Sequence, residues 1–206
     1  MSSPVSRRFT LLVSLGLLAL FIAAAGAFAL NHYFSGQNPQ PTSGLPGGPI
    51  ELASTRGDFS LAQLDDNQVA IVTFGYTYCP DVCPMNQAVK KQALAELTPQ
   101  QRERIVPLMI SVDPERDSLE RLAEYTGFFG EGFIGATGTQ QQLEELASRY
   151  GVIWRRVEAE NSAMGYTIDH SSSLYVVDRE GRILERVLYS SSPEGLVTAL
   201  RTALNS

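Results

Sequence analysis

The two cysteines of this chain lie close together in the segment FGYTYCPDVCPMN, at residues 74–86. Cys79 and Cys83 are separated by three residues, each is followed by a proline, and both come directly after an apolar run at residues 69–76. Where a strand leads into a helix, the helix N-terminus favours the thiolate, which attacks disulfides and binds soft metal ions. The spacing therefore predicts a metal site or a redox-active disulfide.

The sequence allows two conformations for the backbone around this pair. If the helix begins early, Cys79 and Cys83 lie about one turn apart on the same face. Pro84 biases Cys83 away from helical geometry, which favours a helix that begins near Pro84 and leaves both cysteines on a bent loop. A purely structural disulfide is the other interpretation, but so small a loop would restrict the unfolded chain little.

A metal site needs at least one further ligand, and the chain has two histidines. His32 follows the apolar N-terminal segment and is expected at a membrane interface, whereas His170 lies just before a predicted strand, in GYTIDHSSSLYVV. In a thioredoxin-like fold, this loop returns beside the cysteine turn. Two thiolates and one imidazole suit Cu(I) or Cu(II), and three protein ligands could also hold Zn(II). The residue types thus predict Cys79, Cys83 and His170 as ligands and leave the metal open.

Three carboxylates are candidates to assist such a site. Asp81 lies between the cysteines and is expected to orient a ligand or a partner, and Asp169 is expected to hydrogen-bond the His170 imidazole. Asp113 ends a predicted strand, where a contact with the site and a turn before Pro114 are equally good interpretations. The sequence shows no Ser-His-Asp arrangement and no acid–base pair, so no catalytic residue is predicted and enzymatic activity is left open.

Strand and helix patterns alternate from residue 49 onward. Apolar runs at 69–76 and 106–112 predict two strands buried on both faces, and residues 58–64 predict a weak edge strand or hairpin arm. Further extended segments are predicted at residues 133–136, 153–158, 174–177 and 183–189.

Four helices are predicted between these strands, over residues 83–97, from Asp117 to about residue 129, from Thr139 to Tyr150 and from Ser192-Pro193 onward. Asp117 and Thr139 are the predicted N-caps because Glu or Gln follows three residues later, as in a capping box. The order of the elements predicts an α/β fold, a thioredoxin-like three-layer sandwich with a mixed central sheet.

The N-terminal segment at residues 9–30 reads FTLLVSLGLLALFIAAAGAFAL and carries no charge. A helix of this length crosses the roughly 30 Å hydrocarbon core of a bilayer, and Arg7 and Arg8 before it place residues 1–8 in the cytoplasm. A cleaved signal peptide with Ala27-Phe28-Ala29 at its cleavage site is the alternative, although the apolar run is long for one. We expect a single-pass bacterial inner-membrane protein with its C-terminal domain in the periplasm.

Residues 31–48 are rich in Pro, Gly, Ser and Gln, and predict a flexible tether to a domain at residues 49–206. The chain carries 16 Lys and Arg against 22 Asp and Glu, a formal net charge of -6. Because no basic stripe is present, the composition argues against nucleic-acid binding.

Four segments, in the same order, resemble the Sco/SenC family of copper chaperones: FGYTYCPDVCPMN at 74–86, SVDPERD at 111–117, TGTQQQLEELASRYGV at 137–152 and DHSSSLYVVDREGRI at 169–183. The resemblance covers roughly residues 50–205. It implies a thioredoxin-like fold, one N-terminal membrane anchor, and one copper ion bound by two cysteines and a histidine. It also implies a role in assembling the dinuclear copper site of cytochrome c oxidase.

Carried over by motif, the copper ligands implied here are Cys79, Cys83 and His170. Tyr78 occupies a position where relatives often have His, so that position offers no nitrogen ligand. The resemblance implies as partners the copper-bearing subunit of the oxidase, a periplasmic copper donor, and a thiol reductant that keeps the two cysteines reduced. The alternative function is a thiol–disulfide oxidoreductase that reduces the copper-ligand cysteines of the oxidase subunit.

Overall fold

The computed structural model describes residues 46–158 and 165–205, together with Gly26. Apart from Gly26, these residues belong to the second of two units into which the chain divides, Met1–Pro41 and Thr42–Ser206. The predicted N-terminus at 1–8, the anchor at 9–30 and the tether as far as residue 45 otherwise lie outside the described residues. Within the described part of the chain, no helix is both long enough and apolar enough to span a bilayer.

Nine strands are present among the described residues: β1 Glu51–Ser54, β2 Gly57–Ser60, β3 Val69–Gly75, β4 Ile105–Ser111, β5 Ile134–Thr137, β6 Trp154–Glu158, β7 Tyr166–His170, β8 Leu174–Val177 and β9 Ile183–Val187. Seven form one sheet in the order β2-β1-β5-β4-β3-β8-β9, and β6 pairs with β7 in a separate two-stranded sheet. β3, β4 and β5 are parallel, whereas β8 runs antiparallel to β3. The predicted mixed sheet is therefore confirmed.

Between residues 46 and 205, the described part of the domain contains five α-helices: α1 Val82–Ala95, α2 Pro99–Arg102, α3 Leu119–Gly127, α4 Gln140–Tyr150 and α5 Glu194–Leu204. Side chains alternate along β3, so that Ile71 packs in a core with α1 and α5 while Val72 and Phe74 pack in a core with α4. Helices thus cover both faces of the sheet, and the thioredoxin-like sandwich predicted from the sequence is present.

The helix termini confirm one predicted cap and correct another. Thr139 and Gln142 form the predicted capping box of α4, which ends before Gly151 in the left-handed conformation. The prediction that Asp117 caps α3 is wrong, because Ser118 is the N-cap and accepts a hydrogen bond from the Arg121 amide. Asp117 is instead fully buried.

Four elements were not predicted from the sequence. β2 is the hairpin arm that residues 58–64 predicted, but its partner β1 and the 3-10 turn at Leu61–Gln63 were missed. The short helix α2 begins at Thr98 with its own capping box. β7 pairs with β6 and ends at His170, which therefore lies on a strand rather than in the loop before one. In α5, Pro193 is the N-cap instead of a first-turn residue.

A glycine clasp, formed by Gly47, Gly48 and Gly181, fixes the start of the domain. The Gly48 amide donates to the Gly181 carbonyl at 2.8 Å, and the Tyr150 hydroxyl donates to the Gly48 carbonyl at 2.8 Å. Gly181 has φ +80°, and a Cβ added there would lie 2.0 Å from the Gly48 oxygen. The turn that contains Gly181 follows β8, whose last residue pairs with Ala70 near the start of β3. The clasp is therefore at the opposite end of β3 from the cysteines.

Candidate metal centre

The two cysteines lie where β3 gives way to α1. Cys79 is on the connecting loop, and Cys83 is the second residue of α1, whose N-cap is Asp81. The helix therefore begins at Val82, between the two cysteines. This start falls between the two that the sequence allowed, an early start that includes Cys79 and a late start near Pro84. The Cys83 amide donates to Cys79 Sγ at 3.4 Å, so the helix N-terminus directs an N–H at this sulfur.

His170 meets the cysteines from the other sheet. Its Nε2 atom lies 3.2 Å from Cys83 Sγ, although the two residues are 87 apart in sequence. The ligand atoms of Cys79, Cys83 and His170 all lie within 4.8 Å of one another, and both thiols are free. Cys83 is buried, whereas Cys79 and His170 are half-buried. The structure thus brings together the three residues predicted as ligands, and it does so with one side of the group open to solvent.

Backbone and aromatic contacts set the orientation of the His170 ring. Nδ1 lies 2.9 Å from the Ser171 carbonyl oxygen, which can only accept, so Nδ1 carries the hydrogen. In the neutral ring, the Nε2 lone pair then faces the sulfur atoms. The Tyr76 ring packs edge-on against the imidazole, with 6.0 Å between ring centres, and the Tyr76 hydroxyl accepts a hydrogen bond from the Ile168 amide. These contacts hold the imidazole with Nε2 toward the two cysteines.

The two thiols differ strongly in acidity. The hydrogen bond from Cys83 lowers the pKa of Cys79 to about 4 against the opposing effect of burial, and the Asp81 and Cys83 backbone assists. That same hydrogen bond, with burial, raises the pKa of Cys83 above its ordinary value. At neutral pH the pair holds one thiolate at Cys79 and one thiol at Cys83. A metal ion bound by both sulfurs would displace the Cys83 proton.

Comparisons with known proteins identify the family of this chain. Residues 39–205 match the SCO1/SenC family. The chain belongs to the SCO1/SenC family. A SCO2-like protein of Rickettsia conorii is 32% identical to the chain over 155 residues, which make up 75% of each sequence.

Two solved Sco structures with copper bound share the fold. ScoI of Arabidopsis thaliana aligns with a TM-score of 0.68 and 28% identity, covering 78% of this chain and 99% of that one. ScoI of Bradyrhizobium japonicum aligns with a TM-score of 0.65 and 28% identity, covering 75% and 97%. The similarity therefore extends over nearly all of both known domains.

In this Sco-family chain, the predicted role of Asp169 at the imidazole is corrected. Asp169 pairs with Arg155 in the β6–β7 register, and its carboxylate lies 3.2 Å from the Arg155 guanidinium on an exposed face. Successive side chains of a strand point to opposite faces, so Asp169 and its neighbour His170 diverge. The Ser171 carbonyl, a backbone group that no residue type reveals, occupies the position that Asp169 was expected to fill.

The other two predicted carboxylates have different surroundings. The Asp81 side chain is exposed and makes no capping hydrogen bond, although its backbone favours the Cys79 thiolate. Asp113 is 3% exposed, lies 2.6 Å from the Arg116 guanidinium and accepts a hydrogen bond of 2.7 Å from the Tyr166 hydroxyl. Asp113 thus forms both a turn, through its carbonyl, and a buried side-chain contact. That contact is with Arg116 and Tyr166 rather than with Cys79, Cys83 or His170.

A stack of alternating arginine and tyrosine side chains lines the site of this Sco-family protein and was missed in the sequence. Arg116 lies 4.8 Å from the Tyr78 ring centre and 3.5 Å from that of Tyr166. Arg121 also lies over the Tyr78 ring, 4.0 Å from its centre, and Arg156 lies over the Tyr166 ring, 3.6 Å from its centre. The one hint of this stack in the sequence was the SVDPERD segment, which contains Arg116 and resembles the Sco/SenC family.

Proposed function

We propose that this Sco-family protein is a membrane-tethered copper chaperone that binds one copper ion through Cys79, Cys83 and His170. The observation that carries the proposal is the convergence of two thiols and one imidazole nitrogen within 4.8 Å. Soft thiolates favour Cu(I), and imidazole is a good ligand for both oxidation states. Copper also binds to the similar Sco proteins of Arabidopsis thaliana and Bradyrhizobium japonicum, whose structures contain it.

The chaperone role follows from the small number of ligands and from their exposure. Copper is the cargo of this protein, and three ligands leave room for a ligand from a partner. Cys79 and His170 are half-buried while Cys83 is buried, so a partner's ligands approach from the side of Cys79 and His170. The ion is then transferred while Cys83 still holds it. The target that the family resemblance implies is the dinuclear copper site of cytochrome c oxidase.

The cellular setting is part of the same proposal. The segment at residues 9–30 anchors the chain in a bacterial inner membrane, and the tether connects it to the periplasmic domain. The tether was predicted to extend to residue 48, but it ends before the glycine clasp that holds Gly47 and Gly48. An exported dithiol needs a thiol reductant before it can be loaded, because the compartment is oxidising. A periplasmic copper donor then supplies the cargo.

A second candidate function is supported by the acidity of Cys79. The accessible Cys79 thiolate attacks a disulfide of the partner and forms a mixed disulfide, which releases one partner thiolate. Cys83 then loses its proton and attacks the Cys79 sulfur, which releases the second partner thiolate and leaves a Cys79–Cys83 disulfide. The partner disulfide is reduced by two electrons and the dithiol is oxidised by two. This chemistry would prepare the target's copper-ligand cysteines.

The variant His170→Ala separates the two functions, and His32→Ala is the matched control. Both are measured in the full-length chain for copper retained after gel filtration and for disulfide exchange with a model disulfide. The chaperone proposal expects His170→Ala to lose copper while it keeps exchange, and His32→Ala to keep both. Copper retention that is unchanged in His170→Ala would contradict the proposed ligand set.

A further inference from the structure

Asp117 is a buried carboxylate that the metal centre does not use directly. Its side chain is 0% exposed, and it accepts hydrogen bonds from the Thr77 amide at 2.9 Å, the Thr77 hydroxyl at 2.6 Å and the Ser111 hydroxyl at 2.6 Å. Among the described residues, no Lys, Arg or His forms an ion pair with it. Burying a charged carboxylate costs free energy unless hydrogen bonds satisfy it. The three hydrogen bonds of Asp117 therefore indicate a structural role for this residue.

The partners of Asp117 identify what it holds. Thr77 lies two residues before Cys79, and Ser111 ends β4, which pairs with the end of β3 at Gly75. The carboxylate therefore bridges the ends of two neighbouring strands and ties the start of the cysteine turn to β4. The Thr77 hydroxyl also accepts a hydrogen bond of 2.7 Å from Arg121, which joins α3 to the same bridge. Without this acceptor, the Thr77 amide would be buried and unpaired.

The carboxylate also places a negative charge at the start of the cysteine turn, where it holds Thr77. Its hydrogen bonds to the Thr77 amide and hydroxyl fix this charge two residues along the chain from Cys79. A negative charge disfavours each added electron in its vicinity. It therefore opposes reduction of Cu(II) to Cu(I) and opposes reduction of a Cys79–Cys83 disulfide, which creates a thiolate.

We propose that Asp117 is a positioning residue that anchors the turn carrying Cys79 through Thr77, and that its charge keeps the reduction potential of the centre low. The copper part of this proposal rests on the proposed function. The effect on the dithiol is independent of the proposed function, because it requires only Cys79 and Cys83.

The test compares Asp117→Asn with two Thr77 variants. Thr77→Val removes the hydroxyl, and with it the hydrogen bonds to Asp117 and from Arg121, but keeps the Asp117 charge. Thr77→Ser keeps both the hydroxyl and the charge. The dithiol–disulfide equilibrium is measured against a glutathione couple at neutral pH in the full-length chain. Asp117→Asn is expected to shift it toward the dithiol about tenfold, which is about 30 mV for this two-electron couple. Thr77→Val and Thr77→Ser are expected to stay within about twofold of the wild type, since neither removes the charge.

Amide hydrogen exchange across residues 77–83 tests the anchoring. Asp117→Asn and Thr77→Val are expected to exchange faster there, and Thr77→Ser to retain wild-type protection. Unchanged exchange in Thr77→Val would overturn the anchoring, and an unchanged equilibrium in folded Asp117→Asn would overturn the effect of charge. Should Asp117→Asn not fold, replacing Ser111 by Ala and Thr77 by Val one at a time still tests the bridge.

The copper potential gives a second measure of the charge. If the chain binds copper, Asp117→Asn is expected to favour Cu(I) by about tenfold, or about 59 mV for a one-electron couple. If the wild type binds no copper, the proposed function fails, while the thiol equilibrium and the exchange measurement still decide the role of Asp117.

Discussion

At the scale of the residue, the two cysteines are identical in type but have opposite surroundings. Cys79 accepts N–H groups at the start of α1 and receives the Cys83 thiol hydrogen, whereas Cys83 is buried behind it. A half-buried nucleophile with a buried second thiol suits both ligand transfer and disulfide exchange, because the first sulfur meets the partner and the second completes the step.

This asymmetry predicts the pH dependence of alkylation. Because the pKa of Cys79 is lowered to about 4, its reaction with iodoacetamide should stay near its plateau from neutral pH down to about pH 5 and fall only below that. In Cys83→Ala, the loss of the strongest hydrogen bond should move the midpoint to higher pH. Mass spectrometry of the labelled peptide measures the rate, and Cys79→Ala serves as the control for Cys83. A wild-type midpoint near the ordinary value of about 8.5 would contradict the geometry.

At the scale of the element, the glycine clasp is the feature most sensitive to substitution. Gly181→Ala places a Cβ 2.0 Å from the Gly48 carbonyl oxygen and strains a backbone with φ +80°. Gly57→Ala is the matched control, since Gly57 has φ +89° but no atom lies within 4 Å of its added Cβ. Urea unfolding should show a loss of about 1 kcal/mol for Gly57→Ala, from backbone strain alone, and a clearly larger loss for Gly181→Ala. Equal losses would mean that the contact with Gly48 contributes nothing.

The elements also show how far the sequence could predict the structure. The long buried strands β3 and β4 were predicted to within one residue because their apolar runs have no competing pattern. The meeting of Cys79, Cys83 and His170 was predicted as well, since the thioredoxin-like order brings those segments together. Their role as copper ligands stays a prediction.

Two parts of the site could not be predicted, because they depend on distant partners. Asp117 and Ser118 are equally good N-caps by residue type, and the choice is made by Thr77, which is 40 residues away in sequence. β7 is a short strand whose pattern is weak on its own, and it is defined by pairing with β6. As a result, Asp169 was expected to hydrogen-bond the His170 imidazole, although the two side chains lie on opposite faces of β7.

At the scale of the whole molecule, the sheet separates the clasp from the metal centre. The parallel strands end at the cysteines, and the turn with Gly181 lies at their opposite end. The point where residues 46–48 join the domain is thus far from Cys79 and His170. A partner can reach the open side of the site without meeting this junction.

The free energy of unfolding of the domain should depend on pH because of one buried lysine. Lys90 is 0% exposed, and its amine donates to the Thr73 hydroxyl and the Leu108 carbonyl at 2.7 and 2.8 Å. Burial lowers its pKa well below the ordinary value, so the unfolded chain binds a proton that the folded chain does not. The contribution of Lys90 to the free energy of unfolding therefore rises with pH, until the pH reaches the ordinary pKa of lysine, about 10.4.

Urea unfolding at pH 7, 8 and 9 tests this linkage. The free energy of unfolding of Lys90→Met, relative to that of the wild type, should be highest at pH 7. This difference should become smaller as the pH rises, because the wild type gains stability. Lys91→Met, which changes an exposed neighbour on the same helix, should leave the slope unchanged. If Lys90→Met gave the same pH dependence as the wild type, the amine would be charged in the folded state.

The central claim is that Cys79, Cys83 and His170 form one copper site, and anaerobic metal titration of the reduced full-length chain tests it most directly. Cu(I) and Cu(II) stoichiometry and the absorption spectrum are followed with Zn(II) as competitor, for the wild type and for Cys83→Ser. We predict one tightly held copper ion, with a thiolate-to-Cu(II) charge-transfer band that Cys83→Ser loses. A chain that retains no copper while it readily cycles a Cys79–Cys83 disulfide would contradict the chaperone account and support the oxidoreductase.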